Sequence, residues 1–567
     1  MKHSVLKKGL MIMLATMLCL PQMTAVTASA ETENTVDETY EAKKAAYRAK
    51  IMADDVTTDD LLIGSWVSFY SFDIDSYEYQ LDQMAAAGIN FNMFPRNFGS
   101  GAMYDADYWN NIEEQYAKRN MVYQMNGSMA ESNIAIGVEY AAGKEHCIGY
   151  HLVDEPTADK FAEIARLTTL YREADETRYP FVNLFPSYAP DWALGGTYYE
   201  HVENYVKTVG AENIDYLSHD YYPFRAGDVV MTDIFADMEV IRKVAYENGK
   251  LKTHAFPQST AWNGTRMPTV NEMRWNVYAY LAYGFKALSW FNIVCPGSSD
   301  TEGEGFNDSL IYRDGTIRNQ ELYDAWSELN WEVRGLSDIL MNLDTVHAYH
   351  VRSTTRGVES LPEDFFLQPS GRNDFIVSCM ESKDGTEQYI MLFNKNTTRS
   401  SMPCKFTIDE AEGLKGVEYF DPNIGEYIPI DISDGMLKDT FKAGEGKLYR
   451  LDYVGTPEEE TTETPTEEAT EPESEEPTEA ETDPIVEAPT EALTDIATQE
   501  SSTETEPVTA GEAVTDTETT VDSLTDTQAP ADSGGCSSVV GAASATVLAG
   551  AAAAVVLGKK KKRGRAR

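Results

Sequence analysis

Two adjacent carboxylates are the residues of this sequence best placed to do chemistry. Asp154 and Glu155 follow the apolar run 147–153 and precede Pro156 and a stretch with helical periodicity. They are therefore predicted to stand where a buried strand ends. A carboxyl group partly withdrawn from water has a raised pKa, and it can then donate a proton near neutral pH. The pair indicates acid catalysis, unless Asp154 only orients Glu155 or accepts hydrogen bonds from the start of the next helix.

The elements that would position these carboxylates alternate between strands and helices. From residue 61 to about residue 340, short apolar runs are separated by longer amphipathic stretches, several of which end at a glycine. The predicted strands are residues 62–69, 89–94, 121–125, 147–153, 181–185, 214–217, 251–256 and 285–291. Eight strands that alternate with helices over about 250 residues are typical of a (β/α)8 TIM barrel. We therefore predict an α/β fold with a barrel over residues 61–343, closed by a final helix over residues 319–340.

Three further segments flank the predicted barrel. Residues 31–60 form an N-terminal lead-in, and short alternating runs with turn signals between them predict an antiparallel β-sandwich over residues 344–454. Residues 455–535 contain 25 Asp and Glu and no Lys or Arg, with Thr-Glu-Pro-like units recurring. Such a composition cannot bury enough apolar surface to offset chain entropy. We predict that this acidic segment is a disordered stalk.

The two ends of the chain indicate export and anchoring. Residues 1–30 have a basic start, an apolar run and the cleavage pattern Ala28-Ser29-Ala30, which is typical of a signal peptide. Residues 537–558 are uncharged and long enough to cross a bilayer, and the basic residues 559–567 favour a cytoplasmic C-terminus. A processed sorting signal is the competing interpretation, although no Leu-Pro-x-Thr-Gly motif precedes the segment. We predict export by the Sec route and a transmembrane anchor that resembles Gram-positive surface anchors, with the folded part at the extracellular face of the cell membrane.

Charge and cysteine content argue against several functions. The net charge is −47 and the folded part has no basic stripe, so nucleic acid is not an expected partner. Cys147, Cys295, Cys379 and Cys404 have no CxxC spacing and no nearby His in a ligand pattern. A zinc site is therefore not expected, and we predict neither a metal nor another cofactor.

The residues that follow the predicted strands are unusually rich in aromatic and polar types. Because the carboxyl ends of barrel strands meet at one site, these side chains are expected to converge around Glu155. Carboxylates, amides and flat rings in one cleft suit a sugar, whose hydroxyls take hydrogen bonds and whose faces stack on aromatic rings. The predicted substrate contacts are Arg96, Asn183, His219, Tyr222, Gln258, Trp262 and Trp290. His219 and the tryptophans have simple core packing as their alternative.

Several segments resemble clan A glycoside hydrolases, most nearly the β-galactosidase-like catalytic domains of family 42. The resemblance rests on residues 149–156, 182–186, 220–223 and 258–290. It implies a glycosidase in which Glu155 is the acid/base at the end of the fourth strand. The clan's nucleophile is a Glu at the end of the seventh strand, where this sequence has Gln258. A glutamine cannot form a glycosyl ester.

The missing nucleophile leaves three interpretations. Asp220 at the end of the sixth strand activates water in an inverting reaction, which requires its carboxyl to lie roughly 6.5–9.5 Å from that of Glu155; its competing role is that of a ligand to a sugar hydroxyl. Alternatively, the substrate supplies its own nucleophile, or the barrel binds carbohydrate without cutting it. The sequence thus predicts an extracellular, membrane-tethered glycosidase that cleaves a glycan with Glu155 as general acid and with Asp220 and Asp154 beside it. The alternative is a non-catalytic carbohydrate-binding barrel.

Overall fold

Eight parallel strands close into a barrel. The computed structural model describes residues 27–67, 74–95, 106–127, 129–262, 264–295, 306–353, 355–399, 401–409 and 413–453. The barrel strands are β1 (Leu62–Val67), β2 (Phe91–Phe94), β3 (Val122–Asn126), β4 (Cys147–Asp154), β5 (Tyr179–Leu184), β6 (Tyr216–Asp220), β7 (Lys252–Phe256) and β8 (Ala287–Trp290). They follow one another in chain order, and β1 pairs with both β2 and β8. Each of the eight predicted strands overlaps one of these, so the predicted TIM barrel is confirmed.

A helix follows each barrel strand and packs on the outside of the barrel, and one further helix, α1, precedes β1. The helices are α1 (Thr27–Ala53), α2 (Ile74–Ala86), α3 (Ala106–Ala117), α4 (Ile134–Ala141), α5 (Phe161–Ala174), α6 (Tyr198–Val209), α7 (Ile234–Glu247), α8 (Val270–Ala282) and α9 (Gln320–Gly335). In α6 the buried side chains recur with helical spacing and form one apolar face. The predicted final helix is α9, which Asn319 caps at its start, followed by the short helix Ser337–Leu340.

Two antiparallel sheets form the predicted sandwich. Its strands are β9 (Leu343–His350), β10 (Leu367–Pro369), β11 (Phe375–Ser382), β12 (Gln388–Asn394), β13 (Met402–Ile408), β14 (Leu414–Asp421), β15 (Glu426–Ile430), β16 (Met436–Phe441) and β17 (Gly446–Tyr453). One sheet has the order β9-β11-β12-β17-β14-β15, and the other has the order β10-β13-β16. Phe375, Phe406 and Phe441 meet in the core between them.

The sandwich rests on the barrel through α8 and α1. A side-chain nitrogen of Arg274 on α8 donates to the carbonyl oxygen of Ala443 at 3.0 Å. On α1, Tyr40 donates to Asp421 of the sandwich at 3.0 Å and Tyr47 donates to the carbonyl oxygen of Gly335 at 2.9 Å. The lead-in, for which the sequence predicted no element, is therefore a helix that contacts both the sandwich and the last barrel helix.

The predicted terminal segments fall outside the described residues, apart from positions 27–30 of the predicted signal peptide, which open α1. These segments are the rest of the signal peptide, the stalk over 455–535, the span over 537–558 and the basic tail over 559–567. Within the described ranges, no helix is long and apolar enough to cross a membrane. The four cysteines of the folded part are free thiols.

Candidate active site

Glu155 stands at the carboxyl end of β4 in a left-handed backbone conformation. Its φ angle is +47°, a region that non-glycine residues rarely adopt and that costs of order 1–3 kcal/mol. The N–H of Glu155 donates to the carbonyl oxygen of Asn183 on β5 at 2.9 Å, which holds the residue at the strand end. Its side chain is half-buried. Backbone strain of this kind is concentrated at functional sites. Of the two described carboxylates with a positive φ, Asp228 lies in a hairpin turn, whereas Glu155 stands at the end of a barrel strand.

Asp154 and Asp220 share one amide group. The Nδ2 atom of Asn183 donates to Oδ1 of Asp154 at 3.0 Å and to Oδ1 of Asp220 at 3.3 Å. The three residues belong to the neighbouring strands β4, β5 and β6, and Asp154 lies opposite Asn183 in the strand register. Two predicted catalytic residues are thus brought together by a residue predicted to bind substrate.

Burial raises the pKa of both aspartates. For Asp220 the negative charge of Asp154 adds to the effect of burial, while hydrogen bonds from Asn183 and Tyr222 oppose it. For Asp154, burial outweighs the hydrogen bond from Asn183. Because two close carboxylates do not ionise independently, the pair retains a proton to a higher pH than separate carboxyls would. A protonated Asp220 cannot take a proton from water, which disfavours its predicted role as an inverting base.

A chain of hydrogen bonds beneath the carboxylates fixes the direction of the Asn183 amide. Ser218 Oγ donates to Asn183 Oδ1 at 2.9 Å, and His254 Nδ1 lies 2.8 Å from the same hydroxyl. Ser218 has a single proton and Asn183 receives it, so His254 must donate from Nδ1. Burial lowers the pKa of His254 to about 3, and the ring is neutral. Its Nε2 atom therefore accepts a proton, which comes from Ser289 Oγ at 2.9 Å.

This chain has one direction, from β8 through β7 and β6 to β5. Each member is buried inside the barrel: Ser289 and Ser218 are fully buried and His254 is 1% exposed. The chain leaves the amide oxygen of Asn183 on the serine side and its NH2 group on the carboxylate side. We call Ser289, His254, Ser218 and Asn183 the interior relay. It positions the donor that Asp154 and Asp220 share.

Aromatic rings form a wall beside the carboxylate pair. Tyr222 and Trp262 meet edge to face with 4.9 Å between ring centroids, and both contact Phe291. Burial, and then the charge of Asp220, raise the pKa of Tyr222 well above its ordinary value of 10, so its hydroxyl stays protonated. Trp262 is only 3% exposed. The structure thus brings both predicted residues to the site, with Tyr222 on the carboxylate and Trp262 supporting it.

Gln258 occupies a different environment from the one its predicted role requires. The side chain is fully buried, and its Nε2 atom donates to the carbonyl oxygens of Phe224, Thr260 and Arg266. Its Oε1 atom accepts from the N–H of Phe224 at 3.1 Å. Three backbone acceptors around one group require a donor, which a glutamine supplies and a carboxylate does not. Gln258 joins the loops after β6 and β7, and the next carboxylate, Glu272, pairs with Arg266 at 2.6 Å.

Trp290 and His219 lie on the outer face of their strands. Trp290 is fully buried and its indole N–H donates to Asn330 on α9 at 2.9 Å. His219 is fully buried with Nδ1 3.2 Å from the hydroxyl of Tyr198 on α6, and burial lowers the pKa of His219 to about 3. Successive residues of a strand face opposite sides of the sheet. The residues next to Trp290 and His219 therefore point into the barrel, whereas Trp290 and His219 point away from it. The structure does not bring them to the carboxylates.

Two residues without a predicted role lie beside the carboxylates. The guanidinium of Arg225 lies over the ring of Tyr188, 5.2 Å from its centroid. Burial raises the pKa of Tyr188 well above its ordinary value of 10, and the charges of Asp220 and Glu155 raise it further, which shows that these carboxylates are near. The position of Tyr188 just after β5 could have identified it. Arg225 belongs to a short hairpin after β6, for which the sequence gives no comparable signal.

The predicted substrate contact Arg96 lies outside the described residues. Across the residues that the structure describes, no group of three His, Cys, Asp or Glu side chains could hold a metal ion.

Comparisons with known proteins give structural likeness at low identity. No family model matches the chain, and no curated protein matches it. Among solved structures it is similar to a glycoside hydrolase family 5 protein from Bacteroides vulgatus, at 12% identity over 69% of this chain and 89% of the other, with a TM-score of 0.44. It is also similar to an α-amylase from Anoxybacillus (11% identity, 70% and 99% covered, TM-score 0.41). A third is the α-L-arabinofuranosidase from Thermotoga maritima (11% identity, 69% and 96% covered, TM-score 0.37). All three TM-scores are below 0.5, and the resemblance to family 42 stays a prediction.

Proposed function

We propose that this chain is a glycoside hydrolase in which Glu155 protonates the glycosidic oxygen. The observation that carries the proposal is the strained Glu155 beside two carboxyls that share the amide of Asn183. All of them lie at the carboxyl end of the barrel strands, the end at which barrel enzymes hold their catalytic groups. Tyr222, which lies near Asp220, belongs to an aromatic wall that suits a sugar.

The carboxylate pair and Glu155 have different roles in the proposed reaction. Because the pair retains a proton, Asp154 and Asp220 together carry about one negative charge near neutral pH. That charge stabilises the oxocarbenium-like transition state as the bond to the leaving group breaks. Gln258 cannot supply a nucleophile, since its amide is bound on all sides by backbone groups. We propose that the attacking group is water, whose proton passes to the ionised carboxyl of the Asp154–Asp220 pair, or a group of the substrate itself.

The substrate test begins with aryl glycosides, and an aryl β-galactoside is the first choice because of the resemblance to family 42. The full-length protein, purified in detergent, is compared with Glu155→Gln and with Glu139→Gln, which changes an exposed Glu on α4. Loss of a general acid lowers the rate by roughly 10²–10⁴-fold. We expect that loss in Glu155→Gln and none in Glu139→Gln. Binding of glycans by the parent without turnover on any of them would contradict the proposal and support the carbohydrate-binding alternative.

The configuration of the first product identifies the attacking group. Proton NMR during hydrolysis shows whether the anomeric configuration is inverted or retained. Inversion indicates direct attack by water, and retention without an enzyme nucleophile indicates that the substrate supplies its own group.

We also propose that the enzyme works at the outer face of the cell membrane. The composition of residues 1–30, 455–535 and 537–567 supports export, an acidic stalk and an anchor. Cell fractionation tests this proposal directly. We expect the full chain in the membrane fraction and accessible to added protease, and we expect a chain that ends at residue 536 in the medium.

A further inference from the structure

Trp192 is the most exposed large apolar side chain in the described part of the chain. It is 70% exposed, whereas the other seven tryptophans of the sequence include several of the most deeply buried residues. It belongs to the one-turn helix Asp191–Leu194 in the loop between β5 and α6, and this loop leaves the barrel at the same end as Glu155. A single exposed apolar residue is common on a protein surface. Its position at the catalytic end, on an ordered loop, is what distinguishes this one.

The backbone that carries Trp192 is held firmly. Ala193 is fully buried, its N–H donates to the carbonyl oxygen of Pro190 at 2.8 Å, and the carbonyl oxygen of Leu194 lies 2.9 Å from Nδ1 of His201. Gly195 then turns the chain with a φ angle of +71°. The indole is therefore a fixed flat surface that faces solvent.

The same loop contacts the segment that follows Glu155. A Cβ atom added to Gly195 would lie 2.9 Å from Cβ of Ala158, three residues after Glu155. Within the loop, Tyr188 lies near the charges of Glu155 and Asp220. Trp192 is four residues further on, so its Cα lies at most about 15 Å from that of Tyr188. A few sugar rings of one glycan span this distance.

Unused polar groups lie on the same side of the site. The hydroxyl of Tyr188 is buried and has no hydrogen-bond partner among the residues that the structure describes. The guanidinium of Arg225, which lies over the Tyr188 ring, forms no ion pair within the described ranges. A guanidinium has five N–H donors, and sugar hydroxyls are suitable acceptors.

We propose that the loop between β5 and α6 forms an outlying sugar-binding subsite, in which a pyranose ring stacks on Trp192 and its neighbour toward Glu155 receives hydrogen bonds from Arg225. This proposal rests on the proposed function and adds the substrate class. The substrate is a chain of several sugars rather than a short glycoside, because the ring stacked on Trp192 is additional to the sugar whose bond is cleaved at Glu155.

The test compares long and short substrates in the same enzyme. The two probes are the aryl glycoside that the parent cleaves and the hexasaccharide of the same sugar. In Trp192→Ala we expect the KM for the hexasaccharide to rise roughly tenfold, since one aromatic contact is lost, and the KM for the aryl glycoside to stay unchanged. The matched control is Tyr79→Ala on α2, which removes a ring that is 56% exposed. An unchanged ratio of the two KM values in Trp192→Ala would overturn the subsite.

A second measurement keeps this result separate from the proposed hydrolysis. If the parent cleaves none of the glycosides, native electrophoresis in gels that contain galactan, xylan or mannan measures binding alone. Retardation of the parent and of Tyr79→Ala, lost in Trp192→Ala, supports the subsite although hydrolysis has failed. Equal migration of the parent and Trp192→Ala in every gel overturns it. Melting temperatures verify that Trp192→Ala is folded.

Discussion

The interior of the sandwich and the interior of the barrel are built on different rules. In the sandwich, β13 alternates strictly between buried and exposed residues, and its buried members join an apolar cluster that contains Phe375, Phe406 and Phe441. In the barrel, the interior relay and the aspartate pair place polar groups in the core of neighbouring strands. Burying polar groups is costly unless they are bonded, and a bonded network fixes their geometry. The difference shows that the barrel gives up apolar packing for a defined arrangement of donors and acceptors.

Among the substitutions that test this comparison, the largest effect on stability is expected from one in the sandwich. Phe406→Ala removes a fully buried ring from between two others and should lower the free energy of unfolding by about 3–5 kcal/mol. Calorimetry and circular dichroism measure the loss. The activity per folded molecule should not change, because the ring has no contact with the carboxylates. A fall in that activity would show that the sandwich core contributes to the site.

The next effect is expected at Gln258. Gln258→Glu sets a carboxylate against the carbonyl oxygens of Phe224, Thr260 and Arg266. We expect a loss of about 3 kcal/mol of unfolding free energy, because a buried charge loses its partners and meets acceptors instead. Denaturant unfolding measures this loss, and Gln388→Glu, at the exposed first position of β12, is the control.

The opposite result at Gln258 would be informative. A Gln258→Glu enzyme as stable as the parent and more active would show that this position accepts the nucleophile of clan A. The backbone groups that bind the Gln258 side chain would then not be a fixed part of the fold.

The sequence was sufficient for the order of elements and for part of the site. Eight apolar runs separated by amphipathic stretches determine a (β/α)8 barrel. Strand-end positions indicate Asp154, Asp220 and Tyr222, the family resemblance adds Asn183, and the structure brings these residues together. The prediction of the barrel depends on local periodicity alone. The apolar periodicity of the sequence matches the strands of the folded structure because each strand must bury its own apolar residues.

Facing direction and distant partners could not be predicted in the same way. An error of one residue in the predicted end of a strand moves a side chain to the other face of the sheet. For this reason the sequence predicts Trp290 and His219 at the site, whereas the structure has them on the outside of the barrel. The environment of Gln258 depends on backbone groups from two loops. The helix α1 depends on contacts with residues almost 400 positions away, such as Asp421, and its own sequence has no strong apolar face.

The pH dependence of stability distinguishes the aspartate pair from surface carboxyls. Burial, and then the charge of Asp154, raise the pKa of Asp220 from its ordinary value of 3.8 to about 8. Between these values the unfolded chain has lost the proton that the folded chain keeps, so stability falls as pH rises through this window, by at most about 1.4 kcal/mol per pH unit. Asp220→Asn removes this carboxyl and leaves Asp154, whose pKa burial still raises. We expect it to be more stable than the parent at pH 8 and similar to it at pH 4, in melting curves taken at each pH.

Asp175 is the control of opposite sign. Burial raises the pKa of Asp175, but hydrogen bonds from Thr177, Tyr150 and Arg178 outweigh burial and bring it to about 2. The stability that Asp175 contributes is therefore present above its ordinary pKa of 3.8 and is lost as pH falls toward 2. Asp175→Asn should be less stable than the parent at pH 8. If both variants showed the same trend with pH, the buried pair would not be the origin of the effect at Asp220.

The smallest effect tests whether the interior relay positions Asn183. Ser218→Ala removes the one donor to Asn183 Oδ1 among the residues that the structure describes, so the amide no longer has one preferred direction. We expect kcat/KM to fall roughly tenfold, a cost of about 1.4 kcal/mol, as the shared NH2 group leaves the carboxylates for part of the time. Because the hydrogen bonds from Asn183 lower the pKa of Asp154 and Asp220, losing them should move the limb of the pH profile that reports the pair to higher pH.

Ser378→Ala makes the same deletion in the sandwich and completes the comparison. Both serines are fully buried, but the hydroxyl of Ser378 has no hydrogen-bond partner among the described residues, whereas that of Ser218 bonds to Asn183 and His254. A deletion without a bonded partner should leave kcat/KM and the pH profile as they are. If Ser218→Ala lowered stability but left the pH profile unmoved, Ser218 would be a packing residue only. Ser289 is three hydrogen bonds away from Asn183 along the interior relay. If Ser289→Ala shifts the pH profile in the same direction as Ser218→Ala but by less, the orientation of the donors is transmitted along the relay.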